Sequence, residues 1–497
     1  MDNVGWNVLR SSSKRLLSIS YITGGFSAYL GDSCHGGQNS LYSGKLYNST
    51  ILDFFFREYS ENITTNESEE DVFSRILRIN EEHLSVGYQG DIVLGSSRSA
   101  TSCFTCIWPS NGGKVPVPYI IHPNYTDSQV SLILSAMEEF ESMTCAYFVP
   151  RAEEVNFIDI QPLNGCWSSI GMVQGGQVIS LMIPDCMNKG IVQHELNHAL
   201  GFQHEQSRKD RDQYVTVLPQ YIDPENLHHF EVSETHSLGV EYDFESVMHY
   251  SMYAFTNTPG QPTLIPKINT TASIGQRDGL SNLDVRKINL LYHCDICSTL
   301  LSGSSGTLTS PGYPSAYRDN TKCVWLIRIP SQKVYLKFES FDVPPSPSCE
   351  SDYINIYDGA SRSSPVLLER FCGEENPPPL MSSSNVMLVE FISDGKLTGK
   401  GFKASYRKVQ CGNAFHTQSG SFSSPGYPEK YFPDLDCEWH ITAPKSHTIF
   451  LKMDKAILEE SDFCIHDKLW IFDGDENDNS KLIGRVDMTA NSEPKPI

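Results

Sequence analysis

The chain has 497 residues, a formal net charge of −22 at pH 7, 39% hydrophobic residues and 14 cysteines. Its length is enough for about three domains, and its acidic balance argues against nucleic acid or an anionic membrane surface as a general partner. The cysteines indicate an oxidising compartment, and no segment has the ~18 consecutive apolar residues of a membrane-spanning helix.

Residues 1–98 have the character of a leader and prosegment. Lys14 and Arg15 precede a stretch that serines and glycines dilute, so no clean signal peptide is visible. Apolar residues at helical spacing around Ile76 and Leu77 predict a short amphipathic helix. The sequons that point to a secreted glycoprotein are Asn48, Asn62, Asn66, Asn124 and Asn269.

The most informative stretch, HELNHALGFQHE, contains the pattern HExxHxxGxxH. His194 and His198 are four residues apart, so a helix places them on one face ~5–6 Å apart, which suits two nitrogen ligands of one Zn²⁺. Glu195 lies between them and can direct a carboxylate at a metal-bound water. Gly201 tolerates left-handed backbone, so the chain can turn and bring in His204 as a third ligand. Three histidines leave one position open, which favours a catalytic zinc over a structural one.

A second segment, SVMHY at 246–250, is the methionine turn that follows this pattern in metzincin metalloproteases. Together with CWSSIGMVQGGQVISL (166–181) and SIGQRDGLSNLDVRKINLLYHC (273–294), it resembles the astacin family. The resemblance implies an α+β metzincin-type catalytic domain at 99–295 that hydrolyses peptide bonds with one Zn²⁺.

The resemblance also implies roles for individual residues. It assigns the zinc ligands and the general base to His194, His198, His204 and Glu195. Met248 resembles the residue beneath the metal, and on its own it is equally explained by core packing. Tyr250 is similar to the tyrosine that ligates zinc at rest and moves away to stabilise the oxyanion; alone, it would be a buried ring with a satisfied hydroxyl. Gln174–Leu181 resembles the edge strand that pairs with an extended substrate.

Upstream, YQGD (88–91) resembles the Phe-x-Gly-Asp element of family prosegments, whose aspartate occupies the zinc. Asp91 is then the latency switch, and the alternative is a simple Gly-Asp turn. Arg98 and Ser99 fit an activation cleavage by a trypsin-like protease, although Arg98 is equally explained as an exposed basic residue. If Ser99 becomes the new terminus, we expect its amino group to reach Glu205, directly or through water.

The cysteines of the catalytic segment are paired by resemblance, because sequence alone does not establish connectivity. The two bridges of the family correspond to Cys145–Cys294 and Cys166–Cys186. An additional close pair, Cys103–Cys106, is similar to one found in fish and amphibian hatching enzymes.

Beyond residue 296 the chain repeats itself, with SPGYP at 310–314 and again at 424–428. Cysteine-bounded repeats rich in short strands indicate β-sandwiches, and these resemble CUB modules at 297–408 and 411–497. The resemblance implies the bridges Cys297–Cys323, Cys349–Cys372 and Cys411–Cys437.

CUB modules often use Ca²⁺, and both copies carry part of the ligand pattern. In the first copy Asp352 and Asp394 match, but Pro344 replaces a glutamate, so solvated side chains are expected there. In the second copy Glu459 and Asp467 match and are the candidate calcium ligands. The third cysteine of the second copy lacks its partner, so we expect that module to be truncated.

These features predict a secreted zinc endopeptidase, made as a zymogen, whose CUB modules select or localise extracellular protein substrates. The astacin-then-two-CUB layout favours the hatching-enzyme group, which acts on egg-envelope glycoproteins. A developmental processing protease of the tolloid type is the alternative enzyme. A binding protein with an inactive protease domain is the alternative of another class, and the complete set of ligands, base and tyrosine argues against it.

Overall fold

A computed structural model of the protein describes residues 3–10, 16–22, 76–77, 79–80, 88–93, 106–233, 236–267, 274–395, 398–425, 427, 435–444, 447–455, 467–474 and 482–486. The strands, in chain order, are β1 (Asn3–Arg10), β2 (Leu16–Ile22), β3 (Val115–Ile121), β4 (Ala146–Pro150), β5 (Phe157–Gln161), β6 (Cys166–Trp167), β7 (Gly176–Leu181), β8 (Val215–Val217), β9 (Leu264–Pro266), β10 (Cys297–Leu301), β11 (Ser305–Thr309), β12 (Lys322–Arg328), β13 (Lys333–Asp342), β14 (Tyr353–Tyr357), β15 (Val366–Phe371), β16 (Leu380–Met381), β17 (Val386–Ile392), β18 (Gly401–Val409), β19 (Cys411–Phe415), β20 (Ser419–Phe422), β21 (Asp436–Thr442), β22 (His447–Lys455), β23 (Lys468–Asp473) and β24 (Leu482–Val486). The α-helices are α1 (Asp127–Met143), α2 (Lys189–Ala199) and α3 (Asn282–Leu291), and short 3₁₀ turns include Glu205–Ser207. Residues 76–77 and 79–80 are also helical, where the sequence predicts a short helix.

The catalytic domain is α+β. Its sheet has the order β4-β3-β5-β7-β6, in which β6 alone runs antiparallel to its neighbour. β7 therefore lies between β5 and β6, and the expectation that Gln174–Leu181 forms the edge is wrong for Ser180 and Leu181, the two residues that pair with β6. The edge is β6, whose two residues give a much weaker β-strand signal than the run GQVISL.

The helices of the catalytic domain pack on this sheet in one core. α1 begins with a capping box in which the Thr126 hydroxyl accepts from Gln129 N while Thr126 N donates to Gln129 Oε1. Residues of α1, such as Phe140, and of α2, such as Leu196, belong to the same buried cluster. This packing fixes α2, the helix that carries the HExxH residues.

The first CUB module is an all-β sandwich. Its sheets have the orders β10-β12-β17-β14-β15 and β11-β18-β13-β16. Trp325 and Ile327 of β12, two residues apart on one face of the strand, enter the sandwich core. Val324 and Leu326, on the opposite face of the same strand, are also buried, but in the cluster of the catalytic domain.

Strands from the N-terminal segment take part in the sheets of the second CUB module. These sheets have the orders β19-β21-β2-β23-β24 and β20-β1-β22. β2 has the position that β17 has in the first module, because Tyr21 is opposite Cys437 as Phe391 is opposite Cys323. β1 pairs antiparallel with β20 and β22, as β18 does with β11 and β13.

Disulfide bonds join residues within the catalytic domain and within each CUB module. Within the described part of the chain the bridges are Cys145–Cys294, Cys166–Cys186, Cys297–Cys323, Cys349–Cys372 and Cys411–Cys437. Cys103 lies outside the described residues. None of the helices described has the length and apolar character needed to cross a membrane.

Candidate metal centre

Helix α2 carries the HExxH residues deep inside the protein. It begins after Asn188, whose side chain accepts hydrogen bonds from Gly190 N and Ile191 N. His194, Glu195 and His198 follow on this helix and are fully buried. The fold therefore removes all three from bulk water.

The chain turns at Gly201, where φ is +106°, a conformation that glycine adopts without a steric penalty. Gly201 N donates to His198 O at 2.8 Å, which closes the end of the helix. Three residues later His204 returns to the histidines of α2: its Nε2 is 3.3 Å from His194 Nε2, which in turn is 3.1 Å from His198 Nε2. The spacing in the sequence thus brings three imidazole nitrogens to one point.

The opposite nitrogen of each ring faces an oxygen acceptor. His194 Nδ1 lies 2.7 Å from Val247 O, and His198 Nδ1 lies 2.8 Å from Phe202 O. His204 Nδ1 lies 3.0 Å from Gln89 Oε1. Such bonds fix the proton on Nδ1 and leave the Nε2 lone pairs directed to the shared point.

The carboxylate of Asp91 completes the cluster. Its Oδ2 lies 3.0 Å from His194 Nε2 and 3.2 Å from His204 Nε2, and its Oδ1 lies 3.5 Å from His198 Nε2. Burial lowers the pKa of His194 to about 3 and that of His204 to about 4, which keeps both rings neutral.

These four groups suit a zinc ion. Their ligand atoms lie within 4.8 Å of one another and all four residues are buried, and neutral imidazole with a carboxylate is a donor set that Zn²⁺ prefers. Nearby, both carboxylate oxygens of Glu195 are buried and make no hydrogen bond to the described residues. Burial, and next the charge of Asp91, raise the pKa of Glu195 well above its usual value. A buried carboxylate without a protein partner is suited to binding a water or a reacting proton.

The methionine turn (246–250) contacts this cluster through a backbone oxygen. Met248 is buried, and Val247 O accepts from His194, so the turn orients a candidate ligand. One carboxylate holds the turn: Asp284 Oδ1 accepts from Ser246 Oγ at 2.6 Å and Asp284 Oδ2 from Val247 N at 2.8 Å. Asp284 also closes the capping box of α3, so the start of that helix and the turn share a single side chain.

Comparisons with known proteins bear on this site. A family model described as astacin, a family of peptidases, matches residues 104–293, and CUB domain models match 297–406 and 411–497. Embryonic protein UVS.2 of Xenopus laevis is 47% identical over 403 residues, which are 81% of this chain and 78% of that protein. The chain belongs to the astacin family. The astacin-like metalloendopeptidase of Coturnix japonica is 47% identical over 72% of this chain and 89% of its own length. Tolloid-like protein 1 of Homo sapiens is 38% identical over 78% of this chain, which corresponds to 38% of that protein.

Family membership makes the protein a zinc metalloendopeptidase with CUB domains. In this astacin the fourth position of the cluster is held by Asp91, which comes from the segment before the catalytic domain. Tyr250 is fully buried beside it and its hydroxyl donates to Gln89 O at 2.5 Å. The three histidines and Tyr250 thus surround a segment of the same chain.

A tight turn presents Asp91 to the histidines. Tyr88 and Ile92 exchange backbone hydrogen bonds of 2.8 and 3.0 Å across it. Gly90 has φ +88°, and a Cβ there would lie 2.4 Å from Leu77 Cδ2, so the turn requires glycine. Beyond the turn, Val93 N donates to Ser168 O and Ser168 N to Asp91 O, which pairs the segment with the chain just after the edge strand β6.

Glu205 already has partners in this form of the protein. Its carboxylate lies 2.7 Å from Lys287 Nζ and 2.9 Å from Arg208 Nη1, and it accepts from Asp243 N. Arg98 and Ser99 lie outside the described residues, so the expected contact between a new terminus and Glu205 stays a prediction.

The candidate calcium ligands differ between the two CUB modules. In the first, Asp352 is fully buried, and its carboxylate accepts from Tyr317 OH at 2.5 Å and from Asp394 N at 3.0 Å. The expectation of a solvated aspartate is therefore wrong for Asp352, because a neighbouring tyrosine and backbone amide satisfy it. In the second, Asp467 is buried, whereas Glu459 lies outside the described residues.

Sequence reasoning missed three side chains that contribute to the site. Asn80 donates to Gly90 O and Cys166 O and accepts from Cys166 N, so it connects the turn between Tyr88 and Ile92 to β6. Gln89 contacts a candidate ligand, and Asp284 holds the methionine turn. The Ser-x-x-Asp capping pattern at 281–284 was a usable signal for Asp284, but no local pattern marks the other two.

Proposed function

We propose that this astacin is made as a secreted zymogen in which Asp91 blocks the zinc site, and that it cleaves extracellular protein substrates after removal of the prosegment. The observation that carries the proposal is the buried Asp91 carboxylate within 3.0–3.5 Å of three histidine Nε2 atoms. An occupied fourth position leaves no place for the attacking water, so the uncleaved chain would be inactive.

The same contacts support a role for the tyrosine in latency. Tyr250 donates its hydroxyl to a prosegment carbonyl oxygen, Gln89 O. A substrate carbonyl presents the same acceptor, so release of Gln89 would free Tyr250 to donate to the developing oxyanion, which is usually the largest catalytic contribution.

The chemistry of the mature site follows from the residues that remain at the metal centre after Asp91 has left. His194, His198 and His204 would hold the zinc, which when bound would supply a Lewis acid able to lower the pKa of water to ~7. Glu195, which has no protein hydrogen-bond partner in the described structure, takes the proton of the attacking water and delivers it to the leaving amine. The backbone of Ser168, paired with the prosegment in this form, becomes available to an extended substrate.

Activation would follow cleavage after Arg98 by a trypsin-like protease. The new amino group of Ser99 would then join the buried network of Glu205, where Lys287 and Arg208 already lie within ion-pair distance. Calcium in the CUB modules is a further prediction, for which Asp467 is the described candidate ligand.

For the substrate, we favour glycoproteins of the egg envelope. The relative named embryonic protein UVS.2 is 47% identical over most of both chains, which supports an embryonic setting. A tolloid-type processing role is less favoured, because that relative is 38% identical to this chain and the embryonic protein is 47% identical. An inactive binding protein is disfavoured by the complete set of ligands, base and tyrosine.

The test is peptide hydrolysis by the secreted protein before and after limited trypsin treatment, with sequencing of the new terminus. We expect activity to appear together with a Ser99 terminus, to be lost with a zinc chelator, and to be absent in a Glu195→Gln variant that still binds zinc. Correct cleavage with bound zinc and no activity would refute the enzymatic proposal.

A further inference from the structure

The outer face of the first CUB module is apolar where it meets the catalytic domain. Val324 and Leu326 of β12 and Leu388 of β17 are buried in the same cluster as the catalytic core. The outer face of a sandwich sheet is ordinarily polar and solvated. The second module, a repeat of the first, has polar residues at the positions equivalent to Val324, Leu326 and Arg328, namely Glu438, His440 and Thr442. Glu438 and His440 are also buried, but they contact Arg407 and Tyr335 of the first module.

Arg328, the last residue of β12, reaches from this face into a socket of the catalytic domain. Its Nη1 lies 2.7 Å from Glu139 Oε1 of α1, and its Nη2 donates to Leu280 O just before α3. A Cβ at Gly279 would lie 2.4 Å from the guanidinium, so the socket is closely packed around it. The arginine side chain is 13% exposed although it belongs to a neighbouring module.

The socket is continuous with the start of the zinc-binding helix. Glu139 is fully buried, and its second oxygen lies 2.7 Å from the ammonium of Lys189, the first residue of α2. Gln193, which precedes the first histidine ligand, accepts from Leu280 N at 3.0 Å and donates to Ala136 O. Two routes therefore lead from Arg328 to α2, one through Glu139 and Lys189 and one through Leu280 and Gln193.

The buried carboxylate depends on both cations. Burial alone would raise the pKa of Glu139, but Arg328 and Lys189 together lower it, so the group is held as an anion. Removal of one partner leaves a buried charge only half compensated, which forces either a rearrangement or protonation. The lysine is the more exposed of the two partners, at 28% of its side chain.

Further contacts make the docking specific. Leu300 N of the module donates to Asn282 Oδ1 at 2.9 Å, and Asn289 Nδ2 donates to Ser298 Oγ at 3.0 Å, so the module is also fixed to α3. Ser363 Oγ donates to Glu138 Oε2 at 2.8 Å on the surface of α1. Apolar burial, a buried ion pair and these polar contacts lie on one continuous surface.

We propose that the first CUB module is a fixed support of the active site and that Arg328 is a positioning residue for the helix that carries His194, Glu195 and His198. The module then acts on catalysis itself as well as on substrate selection. This inference concerns the mature enzyme and so rests on the proposed function.

The test compares Arg328→Met and Arg328→Lys in the full-length, trypsin-treated protein, with Arg318→Met, an exposed arginine of the same module, as the matched control. Two quantities are measured well below the melting temperature: kcat and KM per zinc-loaded site on a short peptide, and the rate of zinc loss to a chelating dye. A short peptide is used because it does not reach the CUB modules.

We expect Arg328→Met to lower kcat about tenfold with little change in KM and to speed zinc loss about tenfold, because displacement of a catalytic group by ~1 Å can cost up to a hundredfold in rate. Arg328→Lys, which keeps the charge but loses the second nitrogen, should be intermediate and also carries the test if the methionine variant does not fold. The inference is overturned if the folded Arg328 variants have the same kcat and the same rate of zinc loss as the parent, even if their thermal stability is lower. If the parent protein is inactive, the proposed function is refuted. The rate of zinc loss would still decide whether Arg328 positions the zinc-binding helix.

Discussion

Replacement of Asp91 by alanine should release activity without cleavage. The carboxylate is buried and lies within hydrogen-bond distance of His194 and His204. Alanine removes this group and leaves the rest of the turn. Arg98→Gln is introduced in the same chain, so that cleavage at the proposed site does not produce activity by another route.

The magnitude follows from the loss of a buried charged partner. Removal of one member of a buried ionic cluster costs ~3–5 kcal/mol, and each ~1.4 kcal/mol changes an equilibrium tenfold. We therefore expect the uncleaved Asp91→Ala chain to be about 10² to 4 × 10³ times more active than its uncleaved parent. Asn80 and the backbone pairing at Ser168 still hold the segment, so its activity should stay below that of the cleaved enzyme.

The assay is hydrolysis of a quenched fluorescent peptide by chains whose intact length is verified by mass spectrometry. Asp278→Ala, at an exposed aspartate of the catalytic domain, is the matched control and should stay latent. The reasoning is refuted if the uncleaved Asp91→Ala chain binds zinc but is no more active than the uncleaved parent.

Three further outcomes are expected. Tyr250→Phe, measured on the trypsin-treated enzyme, should lower kcat by about 10²–10³ with KM little changed, as loss of an oxyanion donor does; a fall in KM alone would contradict that role. Asn80→Ala should raise the activity of the uncleaved chain by about 10–100-fold, because it loses contacts to Gly90 and Cys166 worth ~1 kcal/mol each; a latent variant equal to the parent would contradict it. Burial lowers the pKa of His249 to about 4. Between pH 6.5 and 4 the unfolded chain therefore binds a proton at this residue that the folded chain does not. The free energy of unfolding should decrease by up to about 3 kcal/mol as the pH is lowered through this range. His249→Gln should remove that share of the pH dependence in urea unfolding at pH 7 and 4.5, and an unchanged difference would show that another group is responsible.

The three histidine ligands could be predicted from the sequence because they lie close together along the chain. His194 and His198 are neighbours on any helix, and Gly201 marks the turn that returns His204, so the relevant geometry lies within a single short segment. The roles of Asn80 and Gln89 depend on contacts with residues far away in the chain. Their side chains match no motif, and only the tertiary fold brings them to the site.

The wrong expectations have the same physical origin. The family resemblance predicts an edge strand at Gln174–Leu181, but Cys166 and Trp167 of β6 pair with Leu181 and Ser180 at its end. The loop-like sequence around Asp352 predicts a solvated side chain, but Tyr317 supplies a partner from a distant part of the module. In both cases the interacting residues are far apart in the sequence, so a local pattern does not reveal the contact.

The socket around Arg328 also bears on how such proteins can be recombined during evolution or in the laboratory. Modular proteases are often treated as strings of interchangeable units. Here a carboxylate in one unit, Glu139, requires a guanidinium in the next, and Gly279 leaves the room for it. A chimera that joins this catalytic domain to a CUB module without an arginine at that position would inherit a buried, half-neutralised charge. The two units are therefore expected to have diverged as a pair.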